Sequence, residues 1–136
     1  MSISMSTALR NARLNPIAAA IDAGSGAGTL KFYTVPKPAA GAAITTQTLL
    51  ATLTFADPSA PAAADGVLSF NAIASGVGAA NGTATWARVQ DSAGNFVMDL
   101  VVGPAGSGAD IELISINILS GNTVAIATAA LTEGNP

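Results

Sequence analysis

The sequence predicts a mainly β fold, a β-sandwich of about seven strands that follows one N-terminal helix. From residue 29 onward, short stretches alternate apolar and polar side chains with a period of two, which is the spacing of a half-buried strand. Clusters of Gly, Pro, Ser and Asp separate these stretches, and seven such strands are typical of a sandwich. The length of 136 residues fits one domain. We therefore expect a flexible arm at residues 1–6 and a single domain at residues 7–136.

One helix is predicted at residues 7–23. Apolar side chains recur there at the spacing of one helical face, at Leu14, Ile17, Ala18 and Ile21. Ser6 or Thr7 is suited to cap the start, and Gly24 stands where a left-handed residue ends a helix. Pro16 interrupts the pattern because proline removes a backbone hydrogen bond. We expect one kinked helix or two abutting ones, covering an open edge or one end of the sandwich.

Seven segments are predicted as strands from their alternation and their β-branched content. They are Thr29–Val35, Gln47–Phe55, Val67–Ile73, Thr83–Gln90, Phe96–Val102, Ile111–Leu119 and Thr123–Leu131. Short turns join the fourth segment to the fifth and the sixth to the seventh, which predicts two hairpins. In the second hairpin we expect the core to be lined by Ile114, Ile116 and Ile118 opposite Val124 and Ile126.

The composition excludes several classes of function. The chain has no cysteine and no histidine, which removes disulfides, thiol catalysis, and the commonest general base and metal ligand. Its five cationic residues are scattered along the sequence and the net charge is −3, so the sequence has no cluster of basic residues that would bind nucleic acid. No apolar stretch reaches the roughly 18 residues of a membrane-spanning helix. We expect no enzyme and no cofactor, and neither nucleic acid nor a membrane as partner.

A few carboxylates are the remaining candidates for chemistry. Asp110 and Glu112 lie two residues apart on one strand face, but the spaced acidic loop of a Ca²⁺ site is missing. Asp99 is the third carboxylate that could be tested for acid–base catalysis. A glycosidase also needs two carboxylates, but sugar sites normally include aromatic rings, and the chain has only six aromatic residues. We therefore predict no metal site and no catalytic site.

Trp86, the single tryptophan, and Arg88, one of five cationic residues, are the most distinctive residues of the sequence. They lie on the same face of a predicted strand. One interpretation is a core or edge tryptophan that stacks on Tyr33 or on Arg88, with Asp99 as a partner for the arginine. The other is an anchor in a subunit interface, where tryptophan and arginine concentrate. The predicted partner interface consists of these two residues and of the apolar side chains of the arm, Met1, Ile3 and Met5.

Three parts of the chain together resemble a known family. They are Ser6–Leu14 (STALRNARL), Ala23–Tyr33 (AGSGAGTLKFY), and Gly82–Val89 (GTATWARV) followed by Asp91–Gly94 (DSAG). In these stretches the chain resembles small proteins encoded among the virion structural genes of tailed bacteriophages and prophages. The likeness runs from about residue 6 to residue 134, and its motifs are structural. It implies a virion component, with no activity and no transferable site residues.

Within the virion we expect a capsid decoration or cement protein that binds and stabilises the lattice of the major capsid protein. We expect a homotrimer with closed symmetry at local three-fold positions. The arm at residues 1–6 would become ordered on docking. Residues 1–6 show no basic region followed by a long apolar one, so we expect assembly in the host cytoplasm. The alternatives are a tail, baseplate or head–tail connector component, and a carbohydrate-binding module.

Overall fold

A computed structural model describes residues 4–133 of the chain. It is mainly β and resembles a β-sandwich with an N-terminal helix, which confirms the predicted fold class. The elements are α1 (Thr7–Ile21), β1 (Thr29–Tyr33), β2 (Leu49–Thr54), β3 (Val67–Ser69), β4 (Gly76–Val77), β5 (Gly82–Thr83), β6 (Trp86–Gln90), β7 (Phe96–Pro104), β8 (Ile111–Leu113), β9 (Asn117–Ile118), β10 (Thr123–Val124) and β11 (Ile126–Thr132).

The main sheet has seven strands in the order β2-β1-β6-β7-β8-β11-β3. Neighbours are antiparallel except β7 and β8, which are parallel. Each of the seven predicted segments supplies one strand of this sheet. The four other strands described have two residues each and form two small sheets, β10-β4 and β5-β9. The alternation in the sequence therefore located every strand of the main sheet.

Helix α1 runs without a break through Pro16, so the chain forms a single helix and not the two abutting ones that were the alternative. The Ser6 side chain caps its start by accepting the Leu9 N–H at 3.1 Å. The helix ends at Ile21, two residues before the predicted end, and Gly24 adopts the expected left-handed conformation with φ +95°. Burial of one apolar face stabilises the helix against the cost of its internal proline; that face carries Leu14, Ala18 and Ile21.

Other parts of the described chain lie against both edge strands of the main sheet. At edge strand β2, the Ala79 N–H donates to the Leu50 carbonyl at 2.7 Å. At the other edge, α1 packs against β3. The side-chain oxygens of Asn11 and Asn15 accept the backbone N–H groups of Gly66 and Ala63, just before β3. The helix thus covers an open edge, as the sequence predicts.

The prediction for the second hairpin is wrong in its central part. Between β8 and β11 the chain leaves the main sheet, and β9 and β10 pair with β5 and β4 instead of with each other. Ile118 and Val124 are buried through these pairings. Ile114 is 68% exposed because it lies in the segment that has just left the sheet. Only the outer parts of the predicted hairpin, β8 and β11, pair as expected.

The main core lies on one face of the sheet, beneath α1. In the centre of the sheet this face carries Leu30, Phe32, Ala87 and Val89, all fully buried, and the apolar face of the helix packs into the same cluster. Successive side chains of a strand point to opposite faces. The alternate residues of β1 and β6 therefore face the other side of the sheet, and Trp86 is among them.

Candidate partner-binding surface

The sheet face opposite the core has two rows of side chains that cross neighbouring strands. In the first row, Tyr33 of β1 lies opposite Trp86 of β6, which lies opposite Val101 of β7. In the second row, Lys31 lies opposite Arg88, which lies opposite Asp99. Side chains directly opposite each other on antiparallel strands are close enough to interact. The sheet register therefore places the most individual residues of the sequence in one cluster.

Trp86 is the centre of this cluster and is fully buried. Its ring stacks on that of Tyr33, with centroids 4.8 Å apart and planes inclined by 17°. Its indole N–H donates to the Thr34 carbonyl at 2.8 Å, so burial leaves no unpaired donor on the side chain. The stacking and the hydrogen bond fix the ring in one position.

Arg88 forms a two-pronged ion pair with Asp99. Its Nε donates to Asp99 Oδ1 at 2.8 Å and its Nη2 donates to Oδ2 at 3.1 Å, with both side chains almost completely buried. The guanidinium carbon lies 5.4 Å from the centre of the Trp86 ring and 5.2 Å from that of Phe96. The hydrogen bonds to Asp99 raise the pKa of Arg88 above its ordinary value. The cation is therefore a permanent part of the cluster.

The loop between β1 and β2 closes over this face. The Gly41 N–H donates to Asp99 Oδ2 at 3.4 Å, and the Gln47 side-chain amide donates to the Pro36 carbonyl at 2.6 Å. Gly41 has φ +72°, and a Cβ there would lie 3.2 Å from the Phe96 ring. Both the backbone conformation and the close approach favour glycine at this position. The loop explains why the face opposite the core is buried at its centre.

Exposed apolar side chains border the buried cluster. Leu49, opposite Tyr33 on β2, is 37% exposed; Val101 is 52% exposed; and Phe96 is 42% exposed. We call these three residues the Trp86 surface, because the Trp86 cluster lies between and beneath them. An apolar surface over a rigid base loses little conformational freedom when a partner covers it. This surface is the strongest candidate for a binding site in the described part of the chain.

The predicted interface residues lie in different places. Trp86 and Arg88 are buried within the chain, as the core interpretation describes, so they support the Trp86 surface from below. Met5 is partly buried, and its sulfur accepts a hydrogen bond from Arg13 Nη1 at 3.1 Å. Met1 and Ile3 lie outside the described residues. Sequence reasoning did not single out the exposed members of the Trp86 surface, because an apolar residue in a strand is first assigned to the core.

The three carboxylates considered for chemistry have structural partners. Asp99 pairs with Arg88, and Asp110 accepts the Val101 N–H at 3.4 Å. Glu112 accepts the N–H groups of Gly106 at 3.0 Å and Gly108 at 2.7 Å. These backbone hydrogen bonds lower the pKa of Glu112 below its ordinary value. Across residues 4–133, no three acidic side chains are grouped as a metal site would require.

Glu112 predicts a specific dependence of stability on pH. Because folding lowers its pKa, the carboxylate stabilises the folded chain above the unfolded pKa, and this contribution is lost as the pH falls through the folded value. The variant Glu112→Gln is therefore expected to have a lower urea midpoint at pH 7 and to lose less stability on acidification than the unmodified chain. Glu133→Gln is the matched control for removal of a single carboxylate. Equal acid sensitivity of the unmodified chain and Glu112→Gln would contradict the assignment.

The described residues contain no helix long and apolar enough to cross a membrane. Comparisons of the chain with protein-family models, with curated proteins and with solved structures found no match.

Proposed function

We propose that this chain is a structural component of a bacteriophage virion, a decoration or cement protein that binds the lattice of the major capsid protein. The proposal rests on the family resemblance of the sequence, and the observation that supports it in the structure is the Trp86 surface. This surface presents Leu49, Phe96 and Val101 on a base fixed by stacking, by the indole hydrogen bond and by a buried ion pair. The role is assembly, without catalysis.

The charge distribution of this surface favours a protein partner. The charged pair beneath it, Arg88 and Asp99, is neutralised internally by two hydrogen bonds. Charged residues are depleted at the centre of protein interfaces, while aromatic and large apolar residues are enriched there. An apolar and rigid surface above a neutralised ion pair fits a site on a capsid protein better than it fits a polar ligand.

The number of copies in a virion tests this role directly. Quantitative mass spectrometry of purified particles of the encoding phage would compare this chain with the major capsid protein. We expect a ratio near one, because a decoration protein covers the whole shell. A few tens of copies would assign the chain to the tail, the baseplate or the head–tail connector. Its absence from the particles would overturn the proposal.

Substitution of Val101 tests the surface itself. Val101→Asp places a charge at the centre of the proposed contact and is expected to weaken binding to undecorated capsids by about tenfold or more, since burying an unpaired charge is costly. The matched control is Leu9→Asp, which changes an exposed leucine on α1, away from this face. Co-sedimentation with capsids measures both, and circular dichroism verifies the fold. Equal binding by the two variants would exclude the Trp86 surface as the contact.

A carbohydrate-binding role has less support. Sugar sites use exposed aromatic rings as platforms, but Trp86 and Tyr33 are buried against each other. A glycan array distinguishes the two roles, and we expect no signal from it. Specific binding to one glycan class would favour the carbohydrate-binding module.

A further inference from the structure

The main sheet contains a groove next to β11, far from the Trp86 cluster in the strand order. Two chain segments line it, Phe70–Ile73 and Ile126–Ala129, and its volume is about 280 Å³. Three large apolar side chains in its wall, Phe70, Ile73 and Ile126, are partly buried and pack against the core. The lining contains no charged residue. The groove is at the small end of the range for small-molecule sites, so short apolar side chains suit it better than a cofactor.

The groove exists because β3 is shorter than its neighbour β11. The last hydrogen bond between the two segments joins the Phe70 N–H to the Ala129 carbonyl at 3.2 Å. Beyond it the chain turns away, and the Asn71 N–H donates to the Ser59 carbonyl. Within residues 4–133, Ala127 takes part in neither strand ladder: pairing with β3 begins at Ala130, and pairing with β8 skips from Ile126 to Thr128. The groove therefore borders the part of β11 that extends beyond β3, at residues 126–128, where the ladder with β3 has ended.

The arm of the sequence has the pattern that such a groove accepts. Residues 1–6 read Met-Ser-Ile-Ser-Met-Ser, an unbroken alternation of apolar and small polar side chains. In an extended chain this alternation places Met1 and Ile3 on one side and the serines on the other. The arm has no charged side chain, and neither has the groove. An extended segment that pairs with an open strand and inserts alternate side chains into pockets is an established mode of peptide recognition.

The groove lies near one end of α1, and the arm begins at the other end. The groove lies beside the C-terminal end of α1, where Asp22 accepts the Ser59 N–H and Ser59 accepts that of Asn71. The arm leaves from the other end of this 15-residue helix, which is about 22 Å long. Ile3 stands four residues before Thr7 and reaches at most about 14 Å from it. This separation favours an arm from another copy as the occupant of the groove.

We propose that residues 1–4 of one copy bind as an added strand in the groove of the next copy, with Ile3 in the apolar pocket. The contact joins two different surfaces of the chain, the arm and the groove. Contacts of this kind close into rings when the rotation between copies permits. A ring of three arms and three grooves would build the proposed homotrimer. This inference goes beyond the capsid role, since the arm and the groove both belong to this chain and the contact forms without a capsid.

Two substitutions in the arm test the proposal on the full chain. Ile3→Asp places a charge in the pocket and is expected to weaken self-association by about tenfold or more. Ser4→Asp places the same charge on the side of the strand that faces away from the pocket, and we expect it to self-associate like the unmodified chain. Sedimentation velocity over a series of concentrations, without capsids, measures both. Ile3 lies outside the described residues, and Ser4 is exposed and precedes α1, so we expect both variants to fold, which circular dichroism verifies.

Cysteine pairs give a second, direct measurement because the natural chain has no cysteine. Chains with Ile3→Cys are mixed with chains carrying Ala72→Cys in the groove and oxidised. A disulfide between the two kinds of chain is expected, since the bond forms only between neighbouring Cβ atoms. Val77→Cys, exposed in β4, is the control partner and should not cross-link.

The outcomes separate this proposal from the capsid role. A self-associating chain that Ile3→Asp dissociates, together with the selective cross-link, supports the arm–groove contact. A chain that is monomeric at every concentration overturns it, and so does equal self-association of Ile3→Asp and Ser4→Asp. If Ile3→Asp leaves self-association unchanged but weakens capsid binding, the arm contacts the shell and the groove proposal is wrong.

Discussion

Trp86→Ala is expected to lower the free energy of unfolding by about 3–5 kcal/mol, the usual cost of truncating a fully buried tryptophan. Trp86 is buried on the face opposite the main core, between the Tyr33 ring and the Arg88 guanidinium. The substitution removes both contacts and leaves the Thr34 carbonyl without its indole donor. The surrounding loop cannot fill the space without giving up its own hydrogen bonds, so we expect a cavity to remain.

Urea denaturation at pH 7 measures this effect. Phe96→Ala is the matched control, because its ring also contacts Arg88 but is 42% exposed. We expect this control to cost about 1 kcal/mol, the order of an exposed cation–π contact. Equal losses for Trp86→Ala and Phe96→Ala would show that the cluster adds little to stability. That result would also remove the rigid base on which the Trp86 surface depends.

Arg88→Met is expected to cost about 3–5 kcal/mol, because it leaves the carboxylate of Asp99 buried without its charged partner. The Asp99 side chain is only 2% exposed, and the Gly41 N–H is a weak substitute for a guanidinium. The double variant Arg88→Met with Asp99→Leu removes both charges and keeps the volume nearly constant. It is expected to recover most of the stability, since well-packed apolar residues often replace a buried ion pair at little cost.

A double-mutant cycle over these two positions gives the interaction free energy of the pair. We expect the losses of unfolding free energy in the single variants Arg88→Met and Asp99→Leu to add up to far more than the loss in the double variant. Additive losses would mean that Arg88 and Asp99 do not depend on each other. Lys31→Met, in the same row of the sheet, is the control for removal of a cation that has no ion pair within the described residues.

The fold class and the seven strands of the main sheet could be predicted because alternation of side chains is a local property. The second hairpin could not, because its outcome depends on distant partners. The segment around Ile118 and Val124 has a strand-like sequence, but it pairs with β5 and β4. Alternation predicts that a segment forms a strand and does not predict which strand it pairs with. Ile114 was assigned to the core for this reason and is exposed.

The candidate site was predictable only in part. Trp86, Arg88 and Asp99 stand out by residue type, and a partnership between them was anticipated. Burial in the core is one of the two interpretations that the sequence allows for Trp86 and Arg88. The sequence of β6 does not decide between them, because the strand is buried on both faces and shows no alternation. The side of the sheet on which Val101 lies was also not predictable. Val102 beside it is equally apolar, so the alternation does not show which of the two valines is exposed. The covering loop brings distant residues together, which no local pattern reveals.

The covered edges of the main sheet have a consequence for behaviour at high concentration. An open edge strand is a template on which the next molecule can add its own strand, and this leads to fibres. Here Ala79 occupies the hydrogen-bonding side of β2 at Leu50, and α1 shields β3. The part of β11 that extends beyond β3 is only three residues long, at residues 126–128. We therefore expect concentrated solutions of the pure protein to stay clear and free of amyloid-type aggregates, even though the chain carries few charges to keep molecules apart.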